Sequence, residues 1–304
     1  MSIFSRGISW LKQCGIKESY AIGYRPIIGA ESRYDDKREY AVILPKKTEW
    51  YADPFLYEYE GQTYLFAEIM KDENHWRGVL GVLCLSKGED RFTEVLSEDF
   101  HLSYPQVFSY KGLIYMLPET YSSDQLRLYK CVNFPQDWEL EWTMLEGVHY
   151  VDTTLLFDQD TIFAETHDLD TEKNLLFEIN INKRSVRKIE NRNGVFVDRR
   201  PGGGFFEQGN SLLHMLQHND NVYGEYLHIA KVEAFNQDGL KEEEIGTLKC
   251  ADIRTNTSKK FKRVHTYNRT SDYEVIDLLF NMVIPKRFLL NAFRSAKRKL
   301  KRYF

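Results

Sequence analysis

Cysteine is scarce in this 304-residue chain, and what there is stands far apart: Cys14, Cys84, Cys131 and Cys250, with no CxxC pair. That spacing speaks against a disulfide framework or a zinc knuckle and fits a reducing compartment. Eight prolines and 18 glycines are too few for a collagenous or disordered chain. No uncharged apolar run approaches the ~18–20 residues that a membrane-spanning helix needs. No N-terminal segment joins a basic start, an apolar stretch and a small-residue cleavage site, so no secretion signal is expected. Aromatic residues are abundant by contrast: 19 Tyr and 19 Phe, a composition that favours strands over helices.

Charge is unevenly spread. Residues 285–304 hold eight Lys or Arg and no Asp or Glu, so the other 284 residues carry 33 basic against 45 acidic side chains. An acidic body is a poor nucleic-acid binder, and no nucleic-acid partner is expected. The basic end suits an anionic surface. Within it Leu289, Ala292, Phe293, Ala296, Leu300 and Phe304 recur at helical spacing, with Arg294, Lys297, Arg298, Lys301 and Arg302 turned away. The expectation is a C-terminal amphipathic helix lying on an anionic membrane; the plainer alternative is a helix packed on the acidic body.

The body repeats. ADPFLYEYEGQTYLFAE (52–68), SYPQVFSYKGLIYMLPE (103–119), VDTTLLFDQDTIFAE (151–165) and PGGGFFEQGNSLLHMLQ (201–217) each read as strand, polar turn, strand. Glu60-Gly61, Lys111-Gly112, Gln159-Asp160 and Gln208-Gly209 have hairpin-turn chemistry. Asp53, Tyr104, Asp152 and Gly202 fall at one repeat position, at a period near ~50 residues, which is that of a propeller blade. Third strands are expected at Gly81–Ser86, Gln125–Cys131, Leu175–Asn180 and Glu225–Val232. A fifth unit spans Arg263–Leu279, turning at Thr270-Ser271-Asp272, and the strand 20–26 closes the ring. The expected fold is therefore all-β: a five-bladed β-propeller over 1–284, followed by the basic helix over 285–304.

WYADPFLYEYEGQTYLFAE, HLSYPQVFSYKGLIYMLPET, NFPQDWE, YVDTTLL, RRPGGGFF, LQHNDNVYGEYLHI and HTYNRTSDYEVIDL resemble the N-terminal domain of glucosamine inositolphosphorylceramide transferases, from about Ser19 to Leu279. At fold level that domain is similar to the five-bladed propellers of glycoside hydrolase families 43, 32 and 130. In the hydrolases the first-blade Asp of a DP motif acts as base or nucleophile, a role the resemblance transfers to Asp53. In the plant-type proteins a separate glycosyltransferase domain follows the propeller; residues 285–304 are too few to form one.

Sugar chemistry needs carboxylates with protonation states pushed apart. The candidate catalytic residues are Asp53, Glu119 and Asp152. Glu68 and Glu165, at matching strand ends, join Tyr51, Tyr104, Arg200, Gln217 and His265 as candidate substrate-binding residues. A carboxylate at a repeated position is also what a strand cap would be. Arg199-Arg200 before Gly202-Gly203-Gly204 suits a phosphate or carboxylate, or else a strand crowded at the axis. His214 and His218 are not spaced for zinc in a strand, so no metal site is expected. Asp168-Leu169-Asp170 reads as a turn.

Three functions follow as expectations. One is a cytoplasmic glycosyltransferase, peripheral to the inner membrane face, that extends a lipid-linked or surface glycan, for which a nucleotide sugar is the candidate donor and no cofactor is identified. The second is a glycoside hydrolase or phosphorylase, and the third a non-catalytic sugar-binding module.

Overall fold

A computed structural model describes residues 16–29, 34, 36–71, 77–192 and 198–283. Among the described residues, twenty-one strands fall into five sheets around one axis. β1 (Ile16–Pro26) and β2 (Ala41–Ile43) come first. Blade 1 holds β3 (Glu49–Tyr59), β4 (Gln62–Lys71), β5 (Gly78–Cys84) and β6 (Thr93–Leu96). Blade 2 holds β7 (Ser103–Tyr110), β8 (Leu113–Glu119), β9 (Gln125–Asn133) and β10 (Asp137–Glu146). Blade 3 holds β11 (Tyr150–Asp158), β12 (Thr161–Asp168), β13 (Lys173–Asn180) and β14 (Ser185–Ile189). Blade 4 holds β15 (Phe206–Gln208), β16 (Ser211–His218), β17 (Tyr226–Asn236) and β18 (Gly239–Leu248). In blade 5, β19 (Phe261–Arg263) and β20 (Tyr267–Arg269) pair with β21 (Tyr273–Val283), which pairs in turn with β1.

The five-bladed propeller read from the repeat is thus the observed fold. Ring closure joins the two ends of the chain: β1 and β21 pair antiparallel from Ile16↔Val283 to Pro26↔Tyr273, longer than the expected 20–26. Such closure leaves no inner sheet edge open. The expected third strands appear as β5, β9, β13 and β17, and each of the first four blades adds an outer fourth strand. The turns behave as their residues require: Glu60 and Gly61, and likewise Lys111 and Gly112, all have positive φ. The C-terminal helix expected over 285–304 lies outside the described residues. Among the described residues, no helix is long and apolar enough to cross a membrane.

Both faces of every blade are buried, so alternate residues of one strand serve two cores. In β4, Leu65, Ala67 and Ile69 pack toward blade 5, with Ile22 and Val275. Phe66 turns the other way, to Val107 and Met116 of blade 2. Separate clusters of the same kind join blades 2 and 3, 3 and 4, and 4 and 5.

The innermost strands of blades 1, 2 and 3 share one irregularity. Register slips between Ala52 and Phe55, between Ser103 and Gln106, and between Val151 and Thr154. Within these bulges Asp53, Tyr104 and Asp152 have φ of 49°, 48° and 50°. Non-glycine residues seldom adopt that conformation, and a bulge re-aims side chains. The repeat position noticed in the sequence is therefore a backbone position.

In blade 4 the repeat position, Gly202, lacks a positive φ, and the next residue, Gly203, takes one instead. Gly203 has φ 133°, and a Cβ there would sit 1.8 Å from the Tyr267 carbonyl oxygen. The triplet is thus used for close approach of two backbones at the axis. Gly203→Ala is expected to destabilise the fold by about 2–4 kcal/mol. Urea unfolding measures this, and a change below about 0.5 kcal/mol would contradict the crowding.

Candidate functional site

Where the inner strands begin, a cavity of about 250 Å³ opens at one end of the ring. Asp53, Glu68, Glu119, Arg200 and His265 line it, together with Tyr20, Trp50, His101, Ser103, Tyr121 and Tyr223. Strand alternation explains the acids. Glu68 shares the face of Phe66 and so points toward blade 2; Glu119 shares the face of Leu117 and points toward blade 3. At the upper ends of their strands the apolar layer stops and these side chains reach the cavity.

The bulges shape the hydrogen bonding. A bulged amide loses its ladder partner, and a buried N–H needs another acceptor. The Asp53 N–H donates to Asp277 Oδ2 at 3.3 Å, and the Asp152 N–H to Glu119 Oε2 at 3.2 Å. These two bulges are each satisfied by a carboxylate from the preceding blade, so acids of different blades are drawn together. Asp277 Oδ1 also accepts the N–H groups of His265 and Thr266, both at 3.0 Å. Its Oδ2 lies 2.6 Å from His265 Nδ1. Asp53 Oδ1 accepts from Thr266 Oγ1 at 2.8 Å and lies 3.5 Å from His265 Nε2.

Two cations meet this acidity. Arg200 ion-pairs through Nε with Asp152 and places Nη2 3.5 Å from Glu119 Oε2. Gln217 Nε2 donates to Asp152 Oδ2 at 2.8 Å. Burial alone would lower the His265 pKa, but Asp277, Asp53 and Asp152 outweigh it and hold it at about 9.

The acids respond unequally. Burial raises Asp53 to about 6, although the charge of His265 pulls the other way. Burial, joined by the charge of Asp152, pushes Glu119 up to about 8 against the pull of Arg200 and a 2.9 Å hydrogen bond from Ser103. Burial and then Asp53 drive Glu68 well above the carboxylate range. Burial thus pushes both cavity acids up, Glu119 further than Asp53, and a separation in that direction is what general acid–base chemistry uses. His101 is lowered to about 4 by burial, accepts the Gly78 N–H on Nδ1, and turns Nε2 to Glu68 at 3.4 Å.

Not every expected residue reaches the cavity. Asp152 and Gln217 sit behind Arg200 and hold it. Tyr51 is core: its ring meets Phe92 and its hydroxyl donates to Glu49. Tyr104 is fully buried, its hydroxyl bonded to Thr154 Oγ1 and accepting the Gly203 N–H. Neither tyrosine lines the cavity as a substrate contact. Glu165 is not at the strand end matching Glu68 and Glu119. It pairs with Thr154, at the level where Phe66 and Leu117 stand, whereas His167 takes the equivalent place opposite Val151. Glu165 is instead buried between blades 3 and 4, with Asn174 Nδ2 at 2.6 Å and His214 Nδ1 at 3.4 Å. Asp168 closes its turn by accepting from the Asp170 N–H and Thr171 Oγ1.

The sequence reading missed Asp277 and His101. Asp277 had a signal, a lone acid in the apolar run Val275–Phe280, since a buried charge demands partners. His101 had none, because its place depends on the approach of Gly78. Asp53, His265 and Asp277 each bring a ligand atom within 4.8 Å of the others. That donor set can accept a cation of oxygen- and nitrogen-binding type, although the Asp277 oxygens are already occupied by three backbone amides and the His265 ring.

Residues 43–279 match the family described as glucosamine inositolphosphorylceramide transferase 1, N-terminal. The chain belongs to this family. Glucosamine inositolphosphorylceramide transferase 1 of Arabidopsis thaliana is 31% identical over 207 residues, covering 64% of this chain. Its counterpart from Oryza sativa subsp. indica is 31% identical over 208 residues. The match spans only 27% of either relative's length. Among solved structures, the family member's fold resembles a GH43_1 enzyme from Xanthomonas citri complexed with xylotriose, with a TM-score of 0.54 and 10% identity. That match covers 79% of this chain and 88% of the other. A family 117 glycoside hydrolase from Zobellia galactanivorans gives 0.51 at 9% identity, over 86% and 90% of the two chains. At such identity the likeness concerns the fold.

Arg200 is the cation on which the buried Asp152 relies. Removing one partner of a buried ion pair typically costs about 3–5 kcal/mol, so Arg200→Gln should lower stability by that order in chemical denaturation. An unchanged midpoint would show that Asp152 does not depend on the guanidinium.

Proposed function

We propose that the cavity takes one sugar ring and that the protein is a glycosyltransferase acting on a lipid-linked or surface glycan, in polysaccharide or glycolipid biosynthesis. The observation that carries this reading is that Asp53 and Glu119 open onto a single cavity, where burial pushes both carboxyls up and Glu119 the further. A volume of about 250 Å³ lies below the usual range for drug-sized ligands and suits one ring. Tyr20, Trp50, Tyr121 and Tyr223 give that ring aromatic faces to stack on.

In this reading Asp53 is the base and Glu119 the acid, while Arg200 fixes Glu119. The acidic floor favours a neutral or amino sugar, and the diphosphate of a nucleotide-sugar donor stays outside it. The relatives' names, which specify transfer of glucosamine to inositolphosphorylceramide, support a sugar and a lipid-borne acceptor. The basic stretch 285–304 supports a peripheral place on an anionic membrane, at its cytoplasmic face. A hydrolase or phosphorylase is the second reading, supported by the shared propeller and the same acid–base pair.

Incubation with a panel of nucleotide sugars and lipid-linked acceptors separates these. Transfer to acceptor with release of nucleotide is expected. Free sugar released without nucleotide would overturn the transferase in favour of the hydrolase, and binding without turnover would overturn both. Asp53→Asn should lower turnover by about 10²-fold or more, with melting little changed because Asp277 remains the closer partner of His265. The rate requires Asp53 ionised and Glu119 protonated. It should therefore rise with pH through about 6 and fall through about 8. A pH profile flat across that window would remove the pair from the mechanism.

A further inference from the structure

A second cavity, of about 230 Å³, lies at the same end of the ring as the first. The inner strands begin at the acidic cavity, so β21, antiparallel to β20, ends there and β1 begins there. The link from β2 to β3 crosses that end as well. Leu44, Pro45 and Lys47 from this link meet Lys259, Phe280, Met282 and Val283 around an open groove.

Only the β1–β21 sheet separates the two sites. Leu279 turns toward the acidic cavity, packing with Tyr20, Ala52 and Trp50, of which all but Leu279 line it. Phe280 and Met282 turn the opposite way, with Ala21, and line the groove. Its apolar rim is unusually open to water for such side chains: Leu44 is 41% and Val283 63% exposed. Lys47 and Lys259 are exposed at its edge, with Lys259 Nζ 5.6 Å from the centre of the Phe280 ring. Nearby, Lys46 pairs with Glu49 and Lys262 with Glu18.

We propose that this groove is a docking surface for an anionic phospholipid leaflet, with Leu44 and Val283 meeting the acyl boundary over a buried floor of Phe280 and Met282, and Lys47 and Lys259 meeting the headgroup phosphates. Apolar side chains ringed by lysine are the composition that interfacial binding uses. The sequence beyond Val283 continues the same chemistry, with eight basic and no acidic residues over 285–304. Docking by this end turns the mouth of the acidic cavity toward the membrane. It thereby brings a lipid-borne acceptor within reach without a spanning segment. This deepens the transferase reading, and rests on it for the purpose of docking but not for the docking itself.

The test is co-sedimentation of the full chain with vesicles of phosphatidylcholine alone and with added phosphatidylserine. Binding is expected only with phosphatidylserine, and K47E/K259E should weaken it by at least about tenfold, since each basic residue near an anionic surface contributes roughly fivefold. Leu44→Ser, which keeps every charge, should weaken it by a smaller factor. Both variants should keep the wild-type melting temperature and wild-type turnover of a soluble acceptor. Wild-type vesicle binding by K47E/K259E, or equal binding to both vesicles by the full chain, would overturn the proposal. So would a groove variant that loses affinity for a homopolymeric RNA but not for vesicles. Loss of soluble-acceptor turnover in Asp53→Asn says nothing about docking, so the two readings fail separately.

Discussion

An unpaired backbone amide near a propeller axis is the constraint from which the site follows. Each bulge in β3 and β11 lifts one N–H out of its ladder in a place too crowded for bulk water. The acceptors come from the neighbouring blade: Asp277 for Asp53 and Glu119 for Asp152. The buried carboxylates Asp277 and Asp152 around these bulges then need counter-charges, which His265 and Arg200 supply. Once two cations are committed in this way, the remaining acids repel one another in a dry environment and part company in protonation. The acid–base pair is thus a consequence of how the bulged inner strands meet at the axis.

The same logic separates framework from machinery. Asp152 and Gln217 hold Arg200 from behind, and Tyr104 ties blade 2 to blade 3 through Thr154 and to blade 4 through Gly203. These residues occupy repeat positions as conspicuous as that of Asp53, yet they serve the ring. Asp53, Glu68 and Glu119 alone among the acids read from the repeat open onto the cavity.

Fold and site were legible to different degrees. The blade count was readable because hairpin turns recur near every 50 residues and turn chemistry is local. The shared place of Asp53, Tyr104 and Asp152 was readable because a bulge repeats with the blade. Glu165 was misplaced because stacking its hairpin by the final carboxylate overlooked a two-residue difference. Counting 15 residues from the bulge reaches Glu68, Glu119 and His167, and only the pairing with Val151 makes that visible. Tyr20, His101 and Asp277 escaped for another reason: each reaches the site through ring closure or loop approach, contacts that no local pattern encodes.

The account stands on Asp53 and Glu119 holding opposite protonation states at neutral pH. Infrared difference spectroscopy of the carboxyl groups, scanned from about pH 5 to about pH 9, reads this without any substrate. The prediction is one carboxyl titrating near 6 that disappears in Asp53→Asn and another near 8 that disappears in Glu119→Gln. Full ionisation of both groups already at about pH 5 would contradict the account.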